Sequence, residues 1–182
     1  MLRFLFLFLF TQISTCQINL RGIETVNALD INKYLGKWYQ VYGAPTNVIF
    51  QGYGRCITAQ YGLLQNESVS VVNSQLNSID ELEQISGYGY YTNTSNPGRL
   101  TVHLDGVPID SPYWVVKLGE IVNKQYQYSI ITTPSGISLW VLTRDVNIFL
   151  NKYDGEVKEY LDANHFKYEE IIQDDCEYFF KL

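Results

Sequence analysis

Eight short runs of alternating apolar and polar residues follow one another along the chain. The first begins at Gly36, and short polar connections separate it from the runs at residues 55–64, 68–74, 85–92, 99–104, 112–121, 126–133 and 137–144. Alternation of this kind is typical of strands with one buried face. The pattern therefore predicts an all-β fold, an eight-stranded up-and-down antiparallel β-barrel.

One later stretch, residues 151–164, has a helical period instead. Four side chains recur there at spacings of three and four residues: Tyr153, Val157, Tyr160 and Leu161. Charged residues occupy the opposite face, so we expect one C-terminal surface α-helix laid against the outside of the barrel. Residues 166–172 then follow as an edge strand or an extended tail.

The segment that leads into the first strand places a large aromatic side chain at one end of the barrel. Asp30 starts a half-turn of helix, and the chain changes to a strand at Gly36. Trp38 takes the first inward position and can close that end of the sheet, while Gly36 lets the backbone pass close beneath it. A cavity can then open at the other end.

Residues 1–16 have the organisation of a secretory signal peptide. One positive charge precedes an almost unbroken apolar run, and Ser14 and Cys16 are small residues at the spacing that a signal peptidase accepts. The run is far shorter than the roughly 20 residues of a membrane span. A lipid anchor on Cys16, as in bacterial lipoproteins, is the alternative. We expect one secreted, extracellular domain at residues 17–182, with no stable membrane insertion.

The charge and the cysteines limit the partners and the redox state of this domain. Removal of residues 1–16 takes away only Arg3, so the net charge falls by one, from −6 to −7. An acidic protein has no electrostatic reason to bind nucleic acid or an anionic membrane. The two remaining cysteines favour a disulfide over two free thiols in an exported protein. If Tyr61 points inward, Cys56 points outward, where Cys176 can reach it.

The residue clusters that catalysis and metal binding require are missing from the sequence. His103 and His165 are the only histidines, and neither belongs to a His-x-His motif. No nucleophile motif such as Gly-x-Ser-x-Gly occurs, and the acidic pairs at 169–170 and 174–175 are interpreted as solvated surface. We expect no catalytic residue, no metal and no cofactor, and hence not an enzyme.

Several motifs in one order and spacing resemble those of the lipocalin family. They are Gly36-Lys-Trp38-Tyr, Gly52-x-Gly-x-Cys56-Ile-x-Ala-x-Tyr61, Asn73, Pro112-Tyr-Trp114, Leu139-Trp-Val-Leu-Thr-Arg144 and a late Cys176. Within the family they are most similar to apolipoprotein D and its bilin-binding and bacterial relatives. The resemblance covers roughly residues 26–176.

At the closed end, the resemblance implies that Arg144 stacks on Trp38 beside Gly36, in a structural role. It also implies a cell-surface receptor as a partner at this end. The sequence departs from the family here, because the Thr-Asp-Tyr motif before the seventh strand is missing and the connection 119–124 is a few residues longer.

At the open end, the resemblance implies a pocket for a small hydrophobic ligand such as a fatty acid, sterol, retinoid or tetrapyrrole. Motif matches and two-residue alternation assign six ligand-binding side chains to it: Trp140, Tyr61, Asn73, Leu142, Tyr42 and Leu104.

Two other functions stay open, and two sites of modification are predicted. The barrel could be a scaffold whose open-end loops, 46–54 and 105–111, engage another macromolecule. It could also be an isomerase with a thiol in the cavity, although an outward Cys56 argues against this. Asn66 and Asn93 are N-glycosylation acceptors in predicted turns.

Overall fold

The computed structural model describes residues 22–65, 68–173 and 176. The signal peptide predicted at residues 1–16 and the glycosylation acceptor Asn66 lie outside this part of the chain, whereas Asn93 is exposed in a connection between two strands. Within it, no helix has the length and hydropathy needed to cross a bilayer.

Eight of the strands form a closed antiparallel barrel, which confirms the predicted fold. In chain order the described strands are β1 (Gly36–Gly43), β2 (Arg55–Leu63), β3 (Val69–Leu76), β4 (Leu82–Tyr90), β5 (Arg99–Leu104), β6 (Ser111–Leu118), β7 (Ile121–Val122), β8 (Gln125–Tyr126), β9 (Tyr128–Thr132), β10 (Leu139–Thr143) and β11 (Glu169–Glu170). The barrel order is β10-β9-β6-β5-β4-β3-β2-β1, and β10 closes the ring by pairing with β1. β11 adds a short edge pairing to β1.

A small hairpin, β7–β8, interrupts the region where strands were predicted at 112–121 and 126–133. Asn123 and Lys124 both have a positive φ, 50° and 64°, and form the turn between β7 and β8. Positive φ at both central residues is the turn geometry that matches the twist of a two-residue hairpin. The hairpin lies at the closed end of the barrel and accounts for the longer connection there.

The chain enters the barrel through a single helical turn, α1 (Ile31–Tyr34). The Asp30 side chain caps this turn by accepting a backbone N–H at 3.0 Å. Gly36 then has a φ of 98°, and a Cβ atom there would lie 3.3 Å from a guanidinium nitrogen of Arg144. Glycine is needed at this position for its conformation and for the close approach of Arg144. A second short helix, α2 (Val48–Gln51), lies between β1 and β2.

The C-terminal helix begins earlier than the predicted 151–164. It consists of α3 (Val146–Ile148), a π-helical turn (Phe149–Tyr153) and α4 (Asp154–Ala163). Its start is fixed by Asp145, whose side chain accepts the Ile148 N–H at 2.8 Å. The sequence contains this capping signal, but Asp145 directly follows the strand predicted at 137–144 and was not recognised as the start of a helix.

The helix packs on the outside of the barrel, as predicted. Four of its side chains, spaced four residues apart, are buried against the wall: Phe149, Tyr153, Val157 and Leu161. Each contributes about 2 kcal/mol relative to an exposed position. This outer core is separate from a second one inside the barrel, which surrounds Trp38.

Cys56 and Cys176 form the predicted disulfide, with their Cα atoms 5.3 Å apart. The bridge lies on the outer side of β2, where both cysteines pack with Leu76. It ties the C-terminal tail to the barrel across a sequence separation of 120 residues. Gln173, just before the bridge, donates to the carbonyls of Gln40 and Ile57 and holds the tail along β1 and β2.

Candidate ligand-binding cavity

The barrel contains a cavity of about 470 Å³ that opens at the end opposite Trp38. Small-molecule sites in proteins have volumes of roughly 300–1,000 Å³, so this space is large enough for a ligand. Apolar side chains on its walls include Ile57, Ala59 and Val71. Phe50 and Gln51 of α2 reach over the mouth.

Tyr61 and Tyr113 form the floor of the cavity, and Tyr34 supports them from behind through a hydrogen bond to Tyr113. The hydroxyl oxygens of Tyr61 and Tyr113 are 3.0 Å apart, and that of Tyr113 is 2.8 Å from Tyr34. Tyr34 donates to Ser129 Oγ at 2.9 Å. Because each hydroxyl has one proton, Tyr113 then donates to Tyr34, and Tyr61 donates to Tyr113. All three phenolic protons are thus used within this chain of hydrogen bonds.

Burial keeps the floor uncharged. Desolvation raises the pKa of Tyr61 to about 12 and also raises the pKa values of Tyr34 and Tyr113. The neighbouring phenols raise the pKa of Tyr113 further. At neutral pH the floor is therefore polar but neutral.

Below the floor, Arg144 and Trp38 seal the closed end. The guanidinium carbon of Arg144 is 3.7 Å from the centre of the fully buried Trp38 ring. At 2.8–3.2 Å, Arg144 also donates to five backbone carbonyls, those of Lys33, Tyr34, Leu35, Lys37 and Tyr126. Burial lowers the pKa of Arg144 to about 10, so the side chain stays charged at neutral pH. These contacts are structural and face away from the cavity.

At the mouth, Trp140 joins a short chain of carboxamides. Its Nε1 donates to Gln51 Oε1 at 3.3 Å, and Gln51 Nε2 donates to Gln40 Oε1 at 3.2 Å. The ring of Phe50 lies 6.0 Å from that of Trp140. These contacts hold α2 against the wall and fix the orientation of the indole.

Of the six side chains assigned to the pocket from the sequence, the structure brings five together on the cavity wall: Trp140, Tyr61, Asn73, Leu142 and Leu104. Each lies at an inward position of its strand. The structure therefore places these residues where a ligand can reach them.

Tyr42 is the exception and lies outside the barrel wall, so its assignment to the pocket was wrong. Its hydroxyl donates to Asp154 of α4, and its ring packs on Phe149. The cause is a β-bulge in β1: Gln40 pairs with Leu142, but Tyr42 pairs with Val141. One extra residue, Val41, shifts the alternation by one position.

Sequence reasoning missed Tyr113, Gln40 and Gln51. Gln40 could have been found, because it follows the inward Trp38 by two residues. Tyr113 stands in a motif that was used only for the family resemblance. Gln51 lies in a connection, where no periodic signal indicates which way a side chain points.

Outside the cavity, the described residues contain no group of three or more His, Cys, Asp and Glu side chains that could hold a metal ion. His103 lies on the outer face of β5, with Nδ1 2.8 Å from Asp110 Oδ1. His165 is exposed after α4. Cys56 is bonded to Cys176, so it offers no free thiol for a reaction in the cavity.

The barrel, its capped closed end and its open cavity define a lipocalin. A family model described as the lipocalin-like domain matches residues 29–173, and the chain belongs to this family. Apolipoprotein D of Rattus norvegicus is 36% identical over 87 residues, which is 48% of this chain and 44% of that protein. Apolipoprotein D of Macaca fascicularis is 29% identical over 151 residues, 81% of this chain and 77% of that protein.

Solved structures have the same architecture. The major allergen Per a 4 from cockroaches superimposes with a TM-score of 0.61 at 22% identity, covering 86% of this chain and 96% of that chain. At this identity the likeness establishes the fold alone. The matches with the rat and cow apolipoprotein D sequences span less than half of the length of those proteins, 44% in each case.

Proposed function

We propose that the protein is a secreted carrier that binds a small hydrophobic ligand inside the barrel. The open cavity of about 470 Å³ carries this proposal, because a barrel used only as a scaffold would be filled by its own side chains. Apolar walls with a few polar groups are the usual lining of such sites. Membership of the lipocalin family supports the same function.

The position of Trp140 provides a direct binding assay. A ligand in the cavity should quench its fluorescence, and titration with a panel of fatty acids, sterols, retinoids and tetrapyrroles should give saturable quenching at micromolar concentrations. Trp140→Phe should remove most of this signal. Trp114→Phe is the matched control, because Trp114 stacks with Arg99 and does not line the cavity. No quenching by any member of the panel would refute the carrier function.

Filling the cavity tests the same proposal independently of fluorescence. Ala59 is buried on the cavity wall and lies opposite Asn73 on β3. Ala59→Phe should abolish binding while the protein keeps its barrel circular dichroism spectrum. Thr101→Phe, at a position on β5 outside the cavity lining, should leave binding unchanged. Retained affinity in a folded Ala59→Phe protein would place the ligand elsewhere.

Export is part of this proposal. We infer cleavage before Gln17 and glycosylation at Asn66 and Asn93, because an apolar leader and two acceptor motifs are present in the sequence. Expression in a secreting eukaryotic cell should release a protein that begins at Gln17. Asn93→Gln should reduce its mass by one glycan. Retention inside the cell with an intact leader would contradict secretion.

A cell-surface receptor at the closed end completes the proposal. Ile121 and Val122 on the β7–β8 hairpin are apolar and exposed, which suits a contact with another protein. Replacing both with serine should weaken binding to the surface of target cells and leave ligand affinity unchanged. Equal cell binding by the variant and the parent would exclude this hairpin from the contact.

A further inference from the structure

The mouth of the cavity is acidic. Four connections surround it, residues 44–54, 77–81, 105–110 and 133–138. They contain four carboxylates and no basic residue: Asp80, Glu81, Asp105 and Asp110. Arg55, which follows the first connection, is paired with Asp80 at 2.9 Å. An anionic group left at the mouth therefore meets a negative potential.

The interior offers no positive charge either. Within the described part of the chain, no lysine, arginine or histidine lines the cavity, and its one charged lining residue is Glu83 at the rim. Gln75 and Asn77 donate to this carboxylate at 3.0 and 3.1 Å and lower its pKa, so it is ionised at neutral pH. A carboxylate that enters the cavity would lose its hydration without gaining a counterion.

The polar groups on the wall suit an uncharged head group instead. The Asn73 carboxamide points inward from β3, between Ala59 and Ile85 on the neighbouring strands. It has no hydrogen-bond partner among the described residues. A carboxamide both donates and accepts, which complements a hydroxyl or a carbonyl group. Tyr61 has already donated its proton, so its oxygen can only accept one from a ligand.

We propose that the cavity selects neutral hydrophobic ligands that carry a hydroxyl or carbonyl group, and discriminates against carboxylates on the same hydrocarbon skeleton. This inference rests on the proposed carrier function, because it names the ligand class of the same cavity. Among the ligand classes expected from the sequence, this selection favours sterols and retinols and disfavours fatty acids and tetrapyrrole carboxylates.

Matched pairs of ligands test the selection. Retinol and retinoic acid share one skeleton, and oleyl alcohol and oleic acid share another. In fluorescence titrations at pH 7.5, the alcohol of each pair should bind at least tenfold more tightly than the acid, which corresponds to about 1.4 kcal/mol. Equal or tighter binding of the acids would overturn the inference and leave the carrier function intact. If none of the four ligands binds, the inference is overturned, whereas the carrier function fails only if no member of the wider panel binds.

A charge placed inside the cavity tests the cause of the selection. Asn73→Lys should improve the affinity for each acid relative to its alcohol by at least tenfold. Val72→Lys is the matched control, because it adds the same charge on the same strand outside the cavity lining, and it should not change this ratio. Leu104→Lys repeats the test on β5 if circular dichroism shows that Asn73→Lys is unfolded. An unchanged ratio in a folded cavity variant, or an equal change in Val72→Lys, would refute the electrostatic basis.

Discussion

Trp38→Ala is expected to remove the seal of the closed end and to destabilise the whole barrel. The side chain is fully buried, and truncation of a buried tryptophan costs about 3–5 kcal/mol. The stacked guanidinium of Arg144, 3.7 Å from the ring centre, is shielded from water, where such a contact is worth about 2 kcal/mol. Part of this is included in the truncation cost, so we expect a total near 5 kcal/mol.

No buried acceptor is left unpaired by this change. The Trp38 indole donates to the Tyr34 carbonyl at 2.8 Å, but Arg144 Nη2 donates to the same carbonyl at 3.0 Å and stays in place. The loss therefore comes from packing and from the aromatic stack rather than from an orphaned hydrogen bond.

Equilibrium urea unfolding of the oxidised protein at pH 7, followed by far-UV circular dichroism, measures this loss. Trp38→Phe, expected to cost about 2 kcal/mol, extends the test if the alanine variant is too unstable to fold. Trp114→Ala is the control, since that ring is only partly buried on the outer face, and about 1–2 kcal/mol is expected.

The expected result has a second part. Folded Trp38→Ala should still bind ligand, because Trp38 is not part of the cavity wall. A loss of stability below about 2 kcal/mol would show that the seal is not a main source of stability. Loss of binding at unchanged stability would mean that the ligand binds at the closed end and not in the proposed cavity.

Three further perturbations test other parts of the structure. Replacing Cys56 and Cys176 with alanine opens a loop of 120 residues, and the chain-entropy model predicts a loss of about 5 kcal/mol in the same urea assay. The pKa of Tyr61 is raised to about 12, so its contribution to stability is complete below about pH 10, where unfolded tyrosine begins to ionise, and is lost as the pH rises toward 12. Because the chain has 15 tyrosines, the tyrosinate absorbance of Tyr61 is taken as the difference between the parent and Tyr61→Phe. This difference should rise together with unfolding, and its appearance in the native state would contradict the prediction. A hydrogen bond with His103, and to a smaller extent one from Tyr90, lowers the pKa of Asp110. The contribution of Asp110 to the stability of the fold is therefore present above about pH 4 and disappears as the pH falls through the lowered pKa. Asp110→Asn should make stability less dependent on pH in this range, as measured by thermal unfolding.

The predictable parts of the site are those on regular strands. Alternation follows from the two-residue repeat of a strand, so it located Leu104 and Leu142 on the cavity wall once one inward neighbour was assumed, whereas Asn73 was assigned from the family resemblance. The same rule failed for Tyr42, because the extra residue of a bulge is set by the pairing of β1 with β10. Pairing between strands about 100 residues apart is not visible in either strand alone.

The start of the C-terminal helix shows a different kind of error. Asp145 is a local signal for the start of a helix, but Thr143 and Arg144 just before it continue the strand pattern. The two signals are adjacent in the sequence, so the sequence alone does not show which of them sets the boundary. The π-helical turn (Phe149–Tyr153) keeps Phe149 and Tyr153 on the buried face, and the barrel wall selects this arrangement by burying both. Tertiary packing decided the boundary here.

The sequence by itself determined the barrel, the outer helix, the closed end and the disulfide, because these depend on period, on turn residues and on a few large or paired side chains. Only the tertiary structure decided that the cavity stays open, that three phenols form a chain of hydrogen bonds beneath it that ends at Ser129, and that no positive charge from the described residues reaches its wall. The physical reason is that hydrogen-bond direction and electrostatic environment depend on groups brought together from distant strands. No local sequence pattern indicates which charged groups and hydrogen-bond donors will lie around the cavity.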